Sequence, residues 1–225
     1  MNIKRSCGVL LPVFSLPSEH GIGTFGKAAY DFIDFLAAAG QSWWQMLPVG
    51  PSGSGDSPYQ SFSSFAGNEY FIDLDMLTAD GLLTKSEVES VSWGEDSGRV
   101  DYEIMRSERD RLLKLAAERG IGLDGQKLDG FIAENASWLP DYALYMALKE
   151  HFGMAAWTEW EEPIRMRAPG AVAKYTALLA DDIRLFEYVQ YLFYTQFAAL
   201  RAYAHEKGIG LIGDMPIYVA LDSAD

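Results

Sequence analysis

One cysteine, three histidines and eighteen basic residues among 225 set the first limits on this chain. Cys7 has no partner for an internal disulfide, which argues against a small cross-linked secreted scaffold and fits a reducing cytoplasm. It stands in an apolar run and is expected as a core thiol. His20, His151 and His205 are scattered and share no ligand spacing with carboxylates, so no metal is predicted, and nothing else asks for a cofactor. Eighteen basic against 32 acidic residues leave a net charge of −14, which repels phosphate backbones and anionic lipid. No apolar stretch approaches the roughly 20 residues of a membrane span. The basic start, Met1-Asn-Ile-Lys-Arg-Ser6, leads into an apolar run that breaks at Pro12 without a small-residue cleavage site. The expectation is a soluble, cytoplasmic protein with neither nucleic-acid nor membrane partners.

What is present is apolar and patterned. About half of the residues, 49%, are hydrophobic, enough to bury a full core in one or two domains. Cys7 to Phe14 reads as a strand buried on both faces. A loop, Glu19 to Thr24, leads to a helix over about Gly26 to Ala39, with Thr24 as its N-cap and Ala29, Phe32, Ile33 and Leu36 as its apolar stripe. Gly40 closes it, and Ser42 to Val49 is a second strand, which predicts two parallel neighbours in a right-handed crossover. Residues 76 to about 180 carry mainly helical periodicity. Tyr102 to Glu118 reads as a helix ended by Gly120, and Asp124 to Asn135 is a less clear helix candidate. Pro140 fits the first helical position of Asp141 to Phe152, and an irregular turn is expected around Trp157, Trp160 and Pro163. A long helix from Asp181 to Lys207 places Phe186, Val189, Phe193, Phe197 and Leu200 on one stripe. Gly208 stops it, and Ile209 to Asp214 is a short strand ending in a carboxylate. The chain thus divides into a βαβ part over 1–75, a mainly helical insertion over 76–180, and a helix with a third strand over 181–225. Parallel strands with polar groups at their ends suit either a barrel or a doubly wound sheet.

The most informative stretch is the loop from Pro48 to Asn68, with three prolines, four glycines, six serines and three aromatics. A loop of this length inside a compact domain is more often functional than idle. Asp56, Ser57, Tyr59, Gln60 and Ser61 bring hydroxyl, amide, carboxylate and ring groups together, the chemistry that holds a sugar by its hydroxyls and its C–H face.

Four segments carry a family resemblance: Gly8-Val-Leu-Leu-Pro-Val-Phe-Ser-Leu-Pro17, Trp44-Gln-Met-Leu-Pro-Val-Gly-Pro51, Gly55-Asp-Ser-Pro-Tyr-Gln-Ser-Phe-Ser-Ser-Phe-Ala-Gly-Asn68 and Gly213-Asp-Met-Pro-Ile-Tyr-Val-Ala-Leu-Asp-Ser-Ala-Asp225. The chain resembles the 4-α-glucanotransferases, the amylomaltases or disproportionating enzymes of glycoside hydrolase family 77. Arg99-Val-Asp-Tyr102 and Trp138-Leu-Pro-Asp-Tyr-Ala-Leu144 are similar to the helical insertion of that family. The resemblance implies an α/β fold, the first strands of a (β/α)8 TIM barrel with an inserted helical subdomain. It also implies transfer of α-1,4-glucan segments between maltooligosaccharides with retention of configuration. Family members are about twice this long, and their nucleophilic aspartate, acid/base glutamate and third carboxylate follow the segment matching Gly213 to Asp225. Retaining chemistry needs two carboxyls roughly 5–5.5 Å apart, so the expectation is an N-terminal part without its catalytic residues and with the remainder of the same barrel as its partner. The alternatives are a non-catalytic α-glucan-binding protein and a related α-glucan hydrolase or debranching enzyme.

The resemblance also assigns substrate-binding roles. Tyr59 matches the tyrosine that packs on the sugar beside the scissile bond, against a bland alternative as a turn aromatic. Ser57 either bonds glucose hydroxyls or caps the turn before Pro58. Gln60 reaches for substrate, and Asp214 matches an aspartate that supports the site nearest the broken bond, or is a buried structural carboxylate. Asp56 is expected in an Asx-turn with loop amides. Asp222 and Asp225 shape their own loop, His20 is a loop hydrogen-bonder, and Glu159, Glu161 and Glu162 form a solvated surface. Of Trp43 and Trp44, at least one belongs to the core. Some family members carry aromatics in a second, surface glucan site. Ser54 and Arg106 stand at the matching positions here, which argues against it.

Overall fold

The computed structural model describes residues 5–53, 55–96 and 98–225. Its sheet is short and wholly parallel. Strand β1 (Gly8–Leu10) pairs with β2 (Trp43–Gln45), and β2 pairs with β3 (Gly210–Ile212), in the order β1-β2-β3. Val9, Trp44 and Leu211 stand abreast in the register, as do Leu10, Gln45 and Ile212. Neighbours in a parallel register share a face, so the sheet has a helix-covered side and a bare one. Val9, Trp44 and Leu211 pack into the core, and Trp44 is fully buried. On the other side Leu10 is 54% exposed, Ile212 41% and Trp43 39%. The indole of Trp43 lies over Gly210, where a Cβ would collide with it.

This one-sided cover corrects three expectations. β1 is not buried on both faces, because among the described residues no layer covers the Leu10 side. Cys7 is exposed, not a core thiol, since it precedes the strand beyond the edge of the core. Each strand is also shorter than its apolar run. Pro12 has no N–H to continue a ladder, and Val13–Ser15 turns into a single 3-10 helix instead.

Helix α1 (Lys27–Ala38) follows β1 and buries Ala29, Ile33 and Leu36, with Phe32 half-buried and set edge-on to Trp44 at 5.1 Å. Its N-cap is Gly26, not Thr24. The Thr24 hydroxyl instead donates to Asp73 Oδ2 at 2.6 Å, and that carboxylate caps α2 (Leu74–Ala79) by accepting from the Met76 N–H. A Cβ on Gly26 would run into the Asp73 carboxylate, which accounts for the glycine. Gly40 ends α1 with φ +69°, as its position demands.

The stretch after α2 is helical: α3 (Lys85–Glu89), α4 (Tyr102–Ile104), α5 (Asp110–Gly120), α6 (Gly125–Glu134), α7 (Leu139–His151), α8 (Glu162–Arg165) and α9 (Pro169–Leu178). Between α4 and α5 the helix widens to a π turn over Met105–Arg109. The less clear 124–135 stretch is the helix α6, and Pro140 stands in the first turn of α7 behind Leu139. The Trp157 region is a 3-10 turn before α8. Helix α10 (Ala180–Glu206) spans the molecule. Tyr188, Phe193 and Leu200 enter a core shared by the sheet, α1 and α5, while Ile183 and Phe186 pack against a second cluster around α7, Trp160 and α9. No helix among the described residues is long and apolar enough to cross a membrane.

Candidate functional site

Parallel strands send their following loops to one end of the sheet, and the candidate site lies there. The loop after β2 is long, yet its ends meet: the Asn68 N–H donates to the Val49 carbonyl at 2.8 Å. Its middle folds into a hairpin. Ser52 and Ser61 form an antiparallel bridge, and the Gly53 N–H donates to the Gln60 carbonyl at 2.6 Å. The tip needs left-handed backbone at Gly55 (φ +82°) and Asp56 (φ +57°), the latter a non-glycine residue in a costly conformation. The Arg106 guanidinium from the π turn holds it, donating to Asp56 Oδ1 at 2.7 Å. That bond replaces the expected Asx-turn, since the carboxylate is taken up by a cation from another element.

Tyr59 stands on the outer limb of the hairpin, 46% exposed, and its hydroxyl donates to Asp214 Oδ2 at 2.8 Å. Asp214 follows β3 by two residues and is half-buried. The bond joins the loops after β2 and β3 across the strand ends. Because the carboxylate accepts the phenolic proton, the Tyr59 hydroxyl is held above its ordinary range. Ser57 Oγ accepts the Tyr59 N–H at 3.3 Å, the turn-capping role weighed for it. Gln60 is exposed beside Tyr59. The four predicted residues thus gather on one hairpin and the strand end facing it. Ser54 lies outside the described residues.

The segment after β3 locks this arrangement from the other side. Asp225 Oδ1 accepts from the Ser63 hydroxyl at 3.1 Å and Oδ2 from the Ser64 N–H at 2.5 Å, while the Ala224 N–H donates to the Phe62 carbonyl at 2.8 Å. Asp222 accepts from Lys149 Nζ at 2.7 Å, the Tyr145 hydroxyl at 2.8 Å and the Trp157 N–H at 3.1 Å. Partial burial pushes the Asp222 carboxyl up. These three donors outweigh it and hold the group below the ordinary carboxylate range. At the loop's base, Gln190 on α10 takes both backbone groups of Gly67, accepting its N–H at 2.7 Å and donating to its carbonyl at 2.9 Å. Lys149, Gln190 and Arg106 as anchors escaped the sequence reading. One signal was available for the lysine: Lys149 falls on the stripe Tyr142, Tyr145, Met146, at helical spacing.

Behind the hairpin lies a cavity of about 1080 Å³, lined among others by Phe62, Tyr70, Arg106, Tyr142 and Lys149. Glu69 faces it with a solvent-inaccessible, unpartnered Oε2, and burial pushes its carboxyl up to about 7. His20, after β1, contacts Asp75 at 3.1 Å, and Glu159, Glu161 and Glu162 are exposed. Among the described residues no group of three or more His, Cys, Asp or Glu side chains is placed to hold a metal ion.

Comparison with known proteins agrees across the chain. The family model described as 4-alpha-glucanotransferase matches residues 11–225. A 4-alpha-glucanotransferase of Streptococcus pneumoniae is 47% identical over 224 residues, covering 99% of this chain and 44% of the relative. That of Thermus thermophilus is 42% identical over 229 residues, covering 100% of this chain and 45% of the relative. The solved structure of an amylomaltase from Streptococcus agalactiae in complex with acarbose superposes with a TM-score of 0.95 at 44% identity, over 98% of this chain and 45% of that one. An amylomaltase from Corynebacterium glutamicum, 17% identical with a TM-score of 0.68, shares the fold. The chain spans just under half the length of these first relatives. On the family match along nearly its whole length, it belongs to the 4-alpha-glucanotransferase family.

Proposed function

We propose that this chain supplies one wall of an α-1,4-glucan transfer site, with Tyr59 and Asp214 gripping a sugar unit. The observation that carries the reading is the Tyr59–Asp214 hydrogen bond, which sets a half-exposed ring beside a carboxylate at the strand ends. The ring offers a face to the C–H side of a pyranose and the free carboxylate oxygen accepts from a hydroxyl. Gln60 adds an exposed amide next to them, and Ser57, already capping the turn, supports the ring's backbone. The activity proposed for the whole protein is 4-alpha-glucanotransfer: an α-1,4 bond is broken, a glucosyl group is held covalently on a carboxylate, and the 4-hydroxyl of another maltooligosaccharide takes it with retention. Asp214, already accepting from Tyr59, serves as a binding group in this scheme and not as the nucleophile.

The three strands are read as the first of a (β/α)8 barrel. Each new strand adds on the same side, as in single winding, and the bare face with Leu10, Trp43 and Ile212 suits a barrel interior completed by the remaining strands. In this reading residues 76–180 are the helical insertion between 1–75 and 181–225.

Calorimetric titration with maltotetraose tests the wall. Tyr59→Ala and Asp214→Ala are each expected to weaken binding at least tenfold, with Gln60→Ala weaker in effect. Unchanged affinity in both of the first two variants refutes the assignment. Residues 1–225 alone are expected to produce no glucose from maltotriose, whereas the whole protein does.

A further inference from the structure

Lys149 is a cation in an improbable place. It is 2% exposed, on the last turns of α7, and its ammonium has three donors to satisfy. Each has an acceptor: the Met154 carbonyl at 2.9 Å, the Ala155 carbonyl at 2.9 Å and Asp222 Oδ2 at 2.7 Å. The turn that offers the two carbonyls is unusual in itself. Gly153 (φ +63°) and Met154 (φ +64°) are both left-handed, and the second is not a glycine. The same ammonium lies 5.3 Å from the centroid of the Phe62 ring, which also packs on Tyr145. Phe62 is three residues beyond Tyr59, and its N–H and carbonyl bond to the Pro51 carbonyl and the Ala224 N–H. The lysine therefore touches the base of the Tyr59 hairpin and the tail that runs from Asp214.

From this geometry we infer that Lys149 is a positioning residue for the Tyr59–Asp214 pair, holding the hairpin through Phe62 and the tail after β3 through Asp222. No atom of Lys149 is bonded to either member of the pair. It acts through two arms, and a saturated, buried ammonium is suited to that: it cannot rotate away without leaving a charge unpaired. Its purpose as a sugar-site support rests on the reading given above, but the positioning itself can be tested without any sugar.

The test follows the ring of Tyr59 by NMR in protein labelled at the tyrosine ζ-carbon, with Tyr59→Phe giving the assignment. In the parent, Tyr59 is expected to titrate above the ordinary tyrosine value of about 10. In Lys149→Met it is expected to return towards that value, and the Gly53 amide of the hairpin to exchange at least tenfold faster. Leu144→Ala, a cavity on the same helix away from the ammonium, is expected to lower stability and leave both readouts unchanged. Should Lys149→Met not fold, Asp222→Asn keeps the shape, removes one arm and is expected to shift both readouts in the same direction. The inference is overturned if the variant that folds loses stability like Leu144→Ala while Tyr59 still titrates high and Gly53 stays protected. Maltotetraose binding by Tyr59→Ala reports separately on the sugar reading.

Discussion

Replacing Gln190 by leucine removes an amide that satisfies two buried backbone groups at the root of the loop after β2. Gln190 is 1% exposed, Gly67 is buried, and the two bonds are short, 2.7 and 2.9 Å. The Phe193 ring closes over the buried glycine so tightly that even a Cβ there would collide with it. Each stranded group costs about 1–3 kcal/mol, so the pair costs about 4 kcal/mol; leucine matches the volume and leaves little cavity. For a chain of this size about 4 kcal/mol lowers Tm by roughly 8–16 °C. Urea denaturation followed by tryptophan fluorescence measures the loss, and hydrogen exchange at the Gly67 amide locates it. Gln196 repeats the device six residues on, bonding the Asp73 N–H at 2.6 Å and its carbonyl at 3.2 Å. Six residues along a helix are about 9 Å, far enough for the two substitutions to add within about 0.5 kcal/mol. A loss below about 1 kcal/mol for Gln190→Leu, with Gly67 exchange unchanged, refutes the reasoning, since the backbone groups would then have found other partners.

The buried carboxyl of Glu69 makes stability depend on pH. Its folded-state value, about 7, lies above the ordinary 4.5, so the folded protein holds a proton that the unfolded chain releases. Its contribution is full below about pH 4.5 and is lost as pH rises through about 7, by at most about 3 kcal/mol. Asp110, on the same cavity, is pushed up to about 8 by burial and by Glu69 and adds a decline of the same sign. Thermal melts across pH 4.5–8 are expected to show the combined decline and Glu69→Gln to reduce it; an equal decline in the variant refutes the assignment. The tandem tryptophans should separate cleanly. Trp44→Ala empties a fully buried site that also bonds the Leu11 carbonyl at 2.8 Å, for a loss of about 3–5 kcal/mol in urea denaturation. Trp43→Ala, on the bare face, is expected to cost far less, and equal losses would contradict the two-faced sheet.

What could be read from the sequence was whatever depends on local periodicity. The stripe of α1, the left-handed stop at Gly40, the long α10 and the parallel order of the first strands all follow from residues close together in the chain. The failures share one cause. Cys7 and Leu10 look like core residues by hydropathy, but whether a sheet face is covered is decided by elements elsewhere. Thr24 has the chemistry of an N-cap, yet Asp73, 49 residues away, offers its hydroxyl a stronger partner. Asp56 invites an Asx-turn until Arg106, 50 residues on, takes its carboxylate. The gathering of Tyr59, Ser57, Gln60 and Asp214 at one end of the sheet came from the family resemblance, whereas their anchors are long-range pairs that no local pattern announces.

Those anchors explain how a loop so rich in glycine, proline and serine can serve a binding site at all. Left free, it would have to be ordered when a sugar arrives, at a cost of up to about 1–2 kcal/mol per residue, more than a few hydroxyl contacts return. Instead Gln190 fixes its root, the Ser52–Ser61 bridge fixes its limbs, Arg106 fixes its tip, and Phe62 is held between Lys149, Tyr145 and Ala224. None of these contacts uses the side chain of Tyr59 or Gln60: Gln60 gives only its backbone carbonyl, to the Gly53 N–H, and both residues stay exposed. Among the described residues the polar partner of the Tyr59 ring is Asp214, the group that would share the sugar with it. The division is what preorganisation of the proposed site requires: side chains elsewhere supply the order, which leaves the exposed side chains of Tyr59 and Gln60 available for a sugar.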